Sequence, residues 1–392
     1  MATINEPIQL LQFVNDNLKP KEKEKKKNGE VFTPIILIDE MLDKLDENYR
    51  KQHNSSIFAD KSLKWYDPAV GIGNFPIIIY MRLMVGLADS ISDEEDRKRH
   101  ILENMLYMSE LNPNNTLVCK RVFCGDKYKL NLYEGDSLKL DVTKEWGTEK
   151  FDIIIGNPPY NEGKTGKGGK KHLDDGFTKH SLKLLKDKDS YLLFITKTYW
   201  RGLSSDAYGD IIDKQIILTK TFDFINNPFN ENVLVCYFLL KNEEKHKETI
   251  FEFSEDCNKG IIINDMNIYF LYRDYFNYFK LLKEKYGSFE DVTRSTKTSG
   301  SNYLLIRHST PEVLEQKNAP KDDKYYVITD PNMLTKYFFT SKIYQDMRNI
   351  GRFTGFTTSK SIFYDIPNFN NIMETEKQDV LNKLKIIDKS FL

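Results

Sequence analysis

Cysteine is scarce in this 392-residue chain: Cys119, Cys124, Cys236 and Cys257 are all it has, and no two stand in a Cys-x-x-Cys spacing. So few thiols exclude a disulfide scaffold and a zinc site of that type, and point to a reducing intracellular compartment. Long hydrophobic runs are missing too. The N-terminus has no apolar signal core, and runs such as Ile77 to Ile79 or Val233 to Leu240 fall far short of the roughly 20 residues needed to cross a bilayer. A soluble protein with no secretory address and no membrane partner is expected. Nor does one sign of charge prevail: 57 Lys and Arg against 58 Asp and Glu leave a formal net charge of -1, so any surface for nucleic acid must be local. The six histidines are scattered singly, without metal-ligand spacing or a Ser/His/Asp pattern, and no metal is predicted.

What is present is material for a large core. Hydrophobic residues make up 40% and aromatics 13% of the chain, enough for one big domain or, better, two. Ile4, Ile8, Leu11, Val14 and Leu18 recur every three or four residues and predict a short amphipathic helix. A lysine-rich connector follows, so residues 1-27 form an N-terminal helix and basic linker. From there apolar runs alternate with helical segments: strands ending near Tyr66 and Ser109, then Leu132–Tyr133, Phe151–Ile155 and Tyr191–Thr196, and from Thr219 to Leu240 an edge hairpin turning at Asn226-Asn227-Pro228. The alternation predicts an α/β fold, a mostly parallel sheet with helices on both faces and ligands gathered at the carboxyl ends of its strands. Beyond about Lys245 the rhythm stops. The remainder is rich in Tyr, Phe, Lys and Asn, its aromatic clusters serve a core better than a stacking platform, and Thr293 to Ser301 reads as a loop or linker. Residues 28-245 and 246-392 are therefore taken as two domains.

Three strings carry chemistry. Phe151-Asp152-Ile153-Ile154-Ile155-Gly156-Asn157-Pro158-Pro159-Tyr160 is a strand that runs straight into a stiff turn. Two prolines fix the backbone and donate nothing, so the Asn157 amide oxygen and the Pro158 carbonyl can be held as acceptors for an amino group. Tyr160 can stack on the plane that bears it. A packed strand-ending turn is the plainer alternative. The second string, Asp67-Pro68-Ala69-Val70-Gly71-Ile72-Gly73-Asn74-Phe75, opens a helix with two glycines that let the backbone approach a ligand. The third is Asn28-Gly29-Glu30-Val31-Phe32-Thr33-Pro34, where Thr33 reads as an N-cap and Pro34 as the first helical residue. An ordinary capped helix accounts for Thr33 and Pro34 but leaves Gly29 and Phe32 unexplained. Glu110 closes the second strand, where an acid accepts from ribose hydroxyls, and the charged stretch Ser90 to His100 before it must be an insertion or extra helix. After Tyr160, a loop with Lys164, Lys167, Lys170 and Lys171 among four glycines suits phosphates, or is merely a solvated loop. Its Gly163-Lys164-Thr165 is no Walker loop, since Pro158 stands where the upstream glycine would be.

These strings, in this order, resemble the gamma-group DNA adenine-N6 methyltransferases of restriction-modification systems. Asn-Pro-Pro-Tyr alone is shared with RNA and protein-glutamine methyltransferases; the glycine turn and the Phe32-Thr33 segment narrow the likeness, which covers residues 29 to about 240. The resemblance implies a Rossmann-like class I methyltransferase sheet followed by a C-terminal α+β target-recognition domain. It implies S-adenosylmethionine as cofactor, held by Phe32, Thr33, Pro34, Asp67, Pro68, Ala69, Gly71, Gly73, Glu110 and Asp136. It implies catalysis by Asn157, Pro158, Pro159 and Tyr160 on a flipped-out adenine of double-stranded DNA, with Phe229 on the other face of the base. A monomer is expected, with room for a separately encoded restriction endonuclease. The rival readings are an RNA amino-methyltransferase, a protein-glutamine methyltransferase and a catalytically silent DNA-binding subunit.

Overall fold

A computed structural model describes residues 2–16, 33–160, 173–197, 208–211, 214–222, 228–229, 235–244, 249–253, 257–263, 273–289, 292–295, 298–307, 312–319, 322–345, 363 and 366–389. The chain divides into two units: Met1–Glu231 with Val235–Lys247, and Asn232–Leu234 with Glu248–Leu392.

In the first unit, α1 (Pro7–Asp16) and α2 (Ile35–His53) precede β1 (Trp65–Asp67). Then α3 (Asn74–Gly86) and the short α4 (Glu94–His100) lead to β2 (Leu106–Glu110), α5 (Pro113–Val122) to β3 (Asn131–Glu134), and α6 (Val142–Trp146) to β4 (Ile153–Gly156). Next come α7 (Leu173–Leu184), β5 (Tyr191–Lys197), α8 (Tyr208–Ile211), β6 (Lys214–Thr221) and β7 (Val235–Glu244). The strands lie in the order β3-β2-β1-β4-β5-β7-β6. The first five are parallel, while β7 runs antiparallel to both β5 and β6. It is therefore β7, the second arm of the expected hairpin, that pairs with β5.

Burial explains the parallel core. Trp65 and Tyr66 point to opposite faces of β1, yet both are buried, which requires cover on each side. Trp65 stacks on Phe58 at 5.6 Å, and Tyr66 stacks on Phe151 at 4.6 Å beside Trp146. Each such burial stabilises by about 1.5–3 kcal/mol. α3 is apolar nearly all round and buried accordingly. It approaches so closely that a Cβ on Gly86 would meet the Phe58 carbonyl oxygen at 2.3 Å. The charged stretch before β2 forms α4, capped by the Asp93 side chain.

Three sequence expectations change. In α1, Ile8 is 79% exposed; Leu10 and Val14, four apart, take the buried face with Ile4. Thr33 is not the cap of α2: Pro34 occupies that position in extended conformation, and its carbonyl accepts from Leu37 and Ile38. The stretch from Thr293 is no linker, because it supplies β10 (Thr293–Ser295) and the start of β11 (Thr298–Arg307).

The second unit contains β8 (Thr249–Phe253) paired antiparallel with β9 (Cys257–Ile263), then α9 (Arg273–Tyr286). A four-stranded antiparallel sheet follows in the order β10-β13-β11-β12, with β12 at Val313–Ala319 and β13 at Asp322–Thr329, then α10 (Met333–Thr340) and α11 (Lys377–Lys389). One face of that sheet, with Leu304, Ile306, Tyr326 and Ile328, packs with Phe279, Phe338, Phe369 and Leu384 into a core of its own. Among the described residues no helix is long and apolar enough to cross a membrane, and no group of three or more His, Cys, Asp or Glu is placed to hold a metal ion.

Candidate functional site

Four parallel strands end side by side, and their following loops meet at the carboxyl edge. After β1 the chain turns through Gly71 at φ 58 and Gly73 at φ 101, a backbone that side chains rarely tolerate. At Gly73 space is short as well: a Cβ would lie 3.2 Å from the Phe123 ring. Neighbouring loops hold the turn from below. The Val70 amide donates to the Ser109 carbonyl at 3.0 Å, the Gly71 amide to Glu110 Oε2 at 2.7 Å, and the Ser137 hydroxyl to the Pro68 carbonyl at 2.7 Å. The other oxygen of Glu110 accepts from the Asn112 amide at 2.7 Å. A carboxylate has about four acceptor directions, so ligand hydroxyls can share this group with the two amides. Asp136, half-buried, caps the turn Ser137–Lys139 and pairs with Lys139 at 2.9 Å.

Asp67 lies at the centre. Its Oδ1 accepts from the Ala69 amide at 3.0 Å, and a Cβ on Gly156 would come within 2.7 Å of the same oxygen. The glycine that ends β4 is thus what admits the carboxylate of β1. Burial raises the Asp67 carboxyl from its ordinary 3.8 to about 8; the Glu110 carboxylate adds to the rise and the Ala69 N–H opposes it. Burial likewise pushes the Cys119 thiol well up, helped by Glu110 and Asp67, and its Sγ lies 3.3 Å from the Gly71 carbonyl.

The Asn-Pro-Pro-Tyr corner leaves β4 next door. Asn157 is half-buried, Pro158 buried, and Pro159 and Tyr160 half-buried. The Asn157 Nδ2 donates to the Thr33 hydroxyl at 3.2 Å across a sequence separation of 124, while the Asn74 Nδ2 donates to the Thr33 carbonyl at 2.9 Å. Thr33, expected both as a cap and as a cofactor residue, is no cap; these long-range bonds draw it to the corner. The structure therefore brings together Thr33, Asp67, Pro68, Ala69, Gly71, Gly73, Glu110 and Asn157. Phe32, Lys164, Lys167, Lys170 and Lys171 lie outside the described residues. Phe229 is half-buried in the described turn 228–229 after β6.

The arrangement fits a nucleoside ligand with a cationic tail. Among the described residues, Asp67 Oδ2 and Asn74 Oδ1 are buried oxygens with no hydrogen-bond partner, and such groups are costly unless a ligand completes them. The α3 N-terminus favours an anionic group beside them. Two residues given no role from sequence belong here. Asn74 stood in the quoted glycine string, and its place right after Gly73 was the available signal. Leu111, 63% exposed beside buried Glu110, offers an apolar surface next to that acid.

Comparison with known proteins agrees with this geometry. Residues 78–232 match the model of the Eco57I restriction-modification methylase family. The matched stretch begins inside α3 and takes in Glu110, Asp136 and the Asn157 corner. An uncharacterized adenine-specific methylase of Mycoplasma pneumoniae is 23% identical over 366 residues, 75% of this chain and 79% of the relative. Among solved structures, the Type IIL restriction-modification enzyme MmeI in complex with DNA aligns with a TM-score of 0.54 at 14% identity, over 88% of this chain and 69% of that one. The ATP-dependent Type ISP restriction-modification enzyme LlaBIII bound to DNA aligns with a TM-score of 0.52 at 12% identity, over 84% of this chain and 36% of that one. At these identities the structural likeness is one of fold.

Proposed function

We propose that this chain is a site-specific DNA methyltransferase of the gamma group, which moves a methyl group from S-adenosylmethionine to the N6 amino group of an adenine flipped out of double-stranded DNA. The observation that carries it is the meeting of three sequence-distant strings: Asn157 Nδ2 on Thr33 Oγ1 at 3.2 Å, with Gly156 packed against Asp67.

When bound, the cofactor supplies an electrophilic methyl group on a sulfonium. Gly71, Gly73, Asp67 and the α3 N-terminus would hold its methionine portion, Glu110 the ribose hydroxyls, and Asp136 the adenine amino group. The nucleophile is the harder partner, because the N6 lone pair of adenine is conjugated with the ring. Asn157 Oδ1 and the Pro158 carbonyl would accept hydrogen bonds from that amino group and draw the nitrogen towards tetrahedral geometry. Tyr160, with Phe229 opposite, would clamp the ring in line for direct displacement. A base inside the duplex cannot reach this corner, so extrusion is required, at a cost of a few kcal/mol offset by stacking and backbone contacts.

Residues 28-245 thus form the catalytic domain, after an N-terminal helix and connector in 1-27. Residues 246-392 are assigned to target recognition, reading major-groove edges. The monomer is the active unit, because segment, turn and corner come from one chain, with room for a separately encoded restriction endonuclease as partner.

Labelled methyl transfer to a mixed-sequence plasmid and to RNA, followed by mapping of modified adenines, tests the assignment. Asn157→Ala is expected to lower duplex methylation by at least about 100-fold while S-adenosylhomocysteine still binds. Full activity in that variant, or methyl groups found only on RNA, would overturn it.

A further inference from the structure

Asn74 opens α3 directly after Gly73 and is 5% exposed. Its Nδ2 donates to the carbonyl of Thr33 at 2.9 Å, and Thr33, 3% exposed, accepts from Asn157 Nδ2 at 3.2 Å through its hydroxyl. A chain of two hydrogen bonds therefore runs from the helix that closes the glycine turn, through the segment ahead of α2, to the corner after β4. Thr33 precedes Pro34 and lies outside α2, so no helical hydrogen bond holds it. Asn74 supplies that hold from another part of the chain.

We propose that Asn74 is a positioning residue for methyl transfer: it fixes Thr33, and Thr33 fixes the Asn157 amide with its oxygen turned towards the substrate. The inference rests on the function proposed above. The torsion that rotates an Asn amide is broad and two-fold, so its oxygen and nitrogen exchange places at little intrinsic cost. An exchanged amide would present a donor to the amino group and repel it. A hydroxyl can accept from Nδ2 or donate to Oδ1, so what Thr33 fixes is the place of the amide, and the adenine amino group, as a donor, then selects the orientation in which Nδ2 bonds Thr33 and Oδ1 faces the substrate. Asn74 also stands in the glycine turn, so the supports of cofactor and catalytic amide are joined in one side chain.

The test compares Asn74→Ala, Thr33→Val and Thr33→Ser in the full chain. Steady-state kinetics on duplex DNA are paired with calorimetric binding of S-adenosylhomocysteine, which also reports folding. Asn74→Ala and Thr33→Val are expected to lower kcat by about 10-fold to 100-fold. Product-analogue affinity should fall at least about 3-fold less than kcat does, because the amide that Thr33 fixes acts on the nucleophile and not on the bound product analogue. Thr33→Ser, which keeps the hydroxyl, should recover most of the rate, and the double variant Asn74→Ala/Thr33→Val should be no slower than the worse single. The proposal is overturned if Asn74→Ala turns over at the wild-type rate, if the analogue affinity falls as far as kcat/KM, or if the two losses add. A wild-type chain that methylates no DNA sinks the functional assignment itself, an outcome distinct from an active wild type matched by an equally active Asn74→Ala.

Discussion

Asp67 shows how far one residue's chemistry depends on its surroundings. Its place in the glycine string marked it as a ligand-binding acid, but the string says nothing about a carboxyl shut away from water beside Glu110 and packed on Gly156, which raises it to about 8. With an ordinary value of 3.8 in the unfolded chain, the folded protein holds the extra proton between about pH 4 and pH 8. Stability from this group is therefore full below about pH 4 and is lost as pH rises towards 8. Asp67→Asn, which mimics the protonated form, should flatten that decline in urea midpoints taken across the window. A cationic ligand favours the ionised form, so cofactor binding near pH 7 should release about one proton. Calorimetry in two buffers of different ionisation heat reads it directly, and a binding enthalpy independent of buffer would refute the account.

At the scale of elements, what the sequence made legible and what it hid have the same physical cause. The βα order of the first unit could be read because buried parallel strands are apolar runs between turn residues, and β1, β2, β4 and β5 are such runs. Strands β10 and β11 were missed because Thr, Ser and Gly at 293–301 look like loop, and what makes them strands is pairing with β13 and β12. The cap role read for Thr33 failed for a similar reason: a local cap rule was overridden by bonds to Asn74 and Asn157, which carry it to the corner. The polar contacts that seat α2 were also hidden. Glu40 accepts from Lys220 at 2.8 and 2.9 Å and from the Tyr237 hydroxyl at 2.6 Å, joining α2 to β6 and β7, while Arg82 of α3 pairs with Asp39 and Asp43. Glu40→Ala would leave the buried Lys220 ammonium without its carboxylate. A loss of about 2 kcal/mol is expected, below the range for fully buried pairs because the Glu40 side chain keeps 27% exposure. Glu40→Leu/Lys220→Met should recover most of it in urea denaturation; a double variant as unstable as the two single losses combined would contradict this view of the clamp.

For the whole molecule the decisive quantity is its charge balance. With 57 basic and 58 acidic side chains, the chain as a unit offers DNA no attraction, so affinity for a phosphate backbone must come from lysines gathered in one place. The sequence that follows Tyr160 is one such place, with Lys164, Lys167, Lys170 and Lys171 within eight residues. Those lysines lie outside the described residues. Each phosphate neutralised on B-DNA adds about 0.9 to the slope of log affinity against log salt. Replacing all four lysines by alanine should therefore weaken duplex binding at low salt and reduce that slope by about 3 to 4. S-adenosylhomocysteine should bind as before, because its proposed ligands all lie elsewhere. Fluorescence anisotropy with a labelled duplex from low to moderate salt measures the slope. If it is unchanged, the loop makes no phosphate contact, and the local basic surface that a neutral molecule needs must be supplied by another part of the chain.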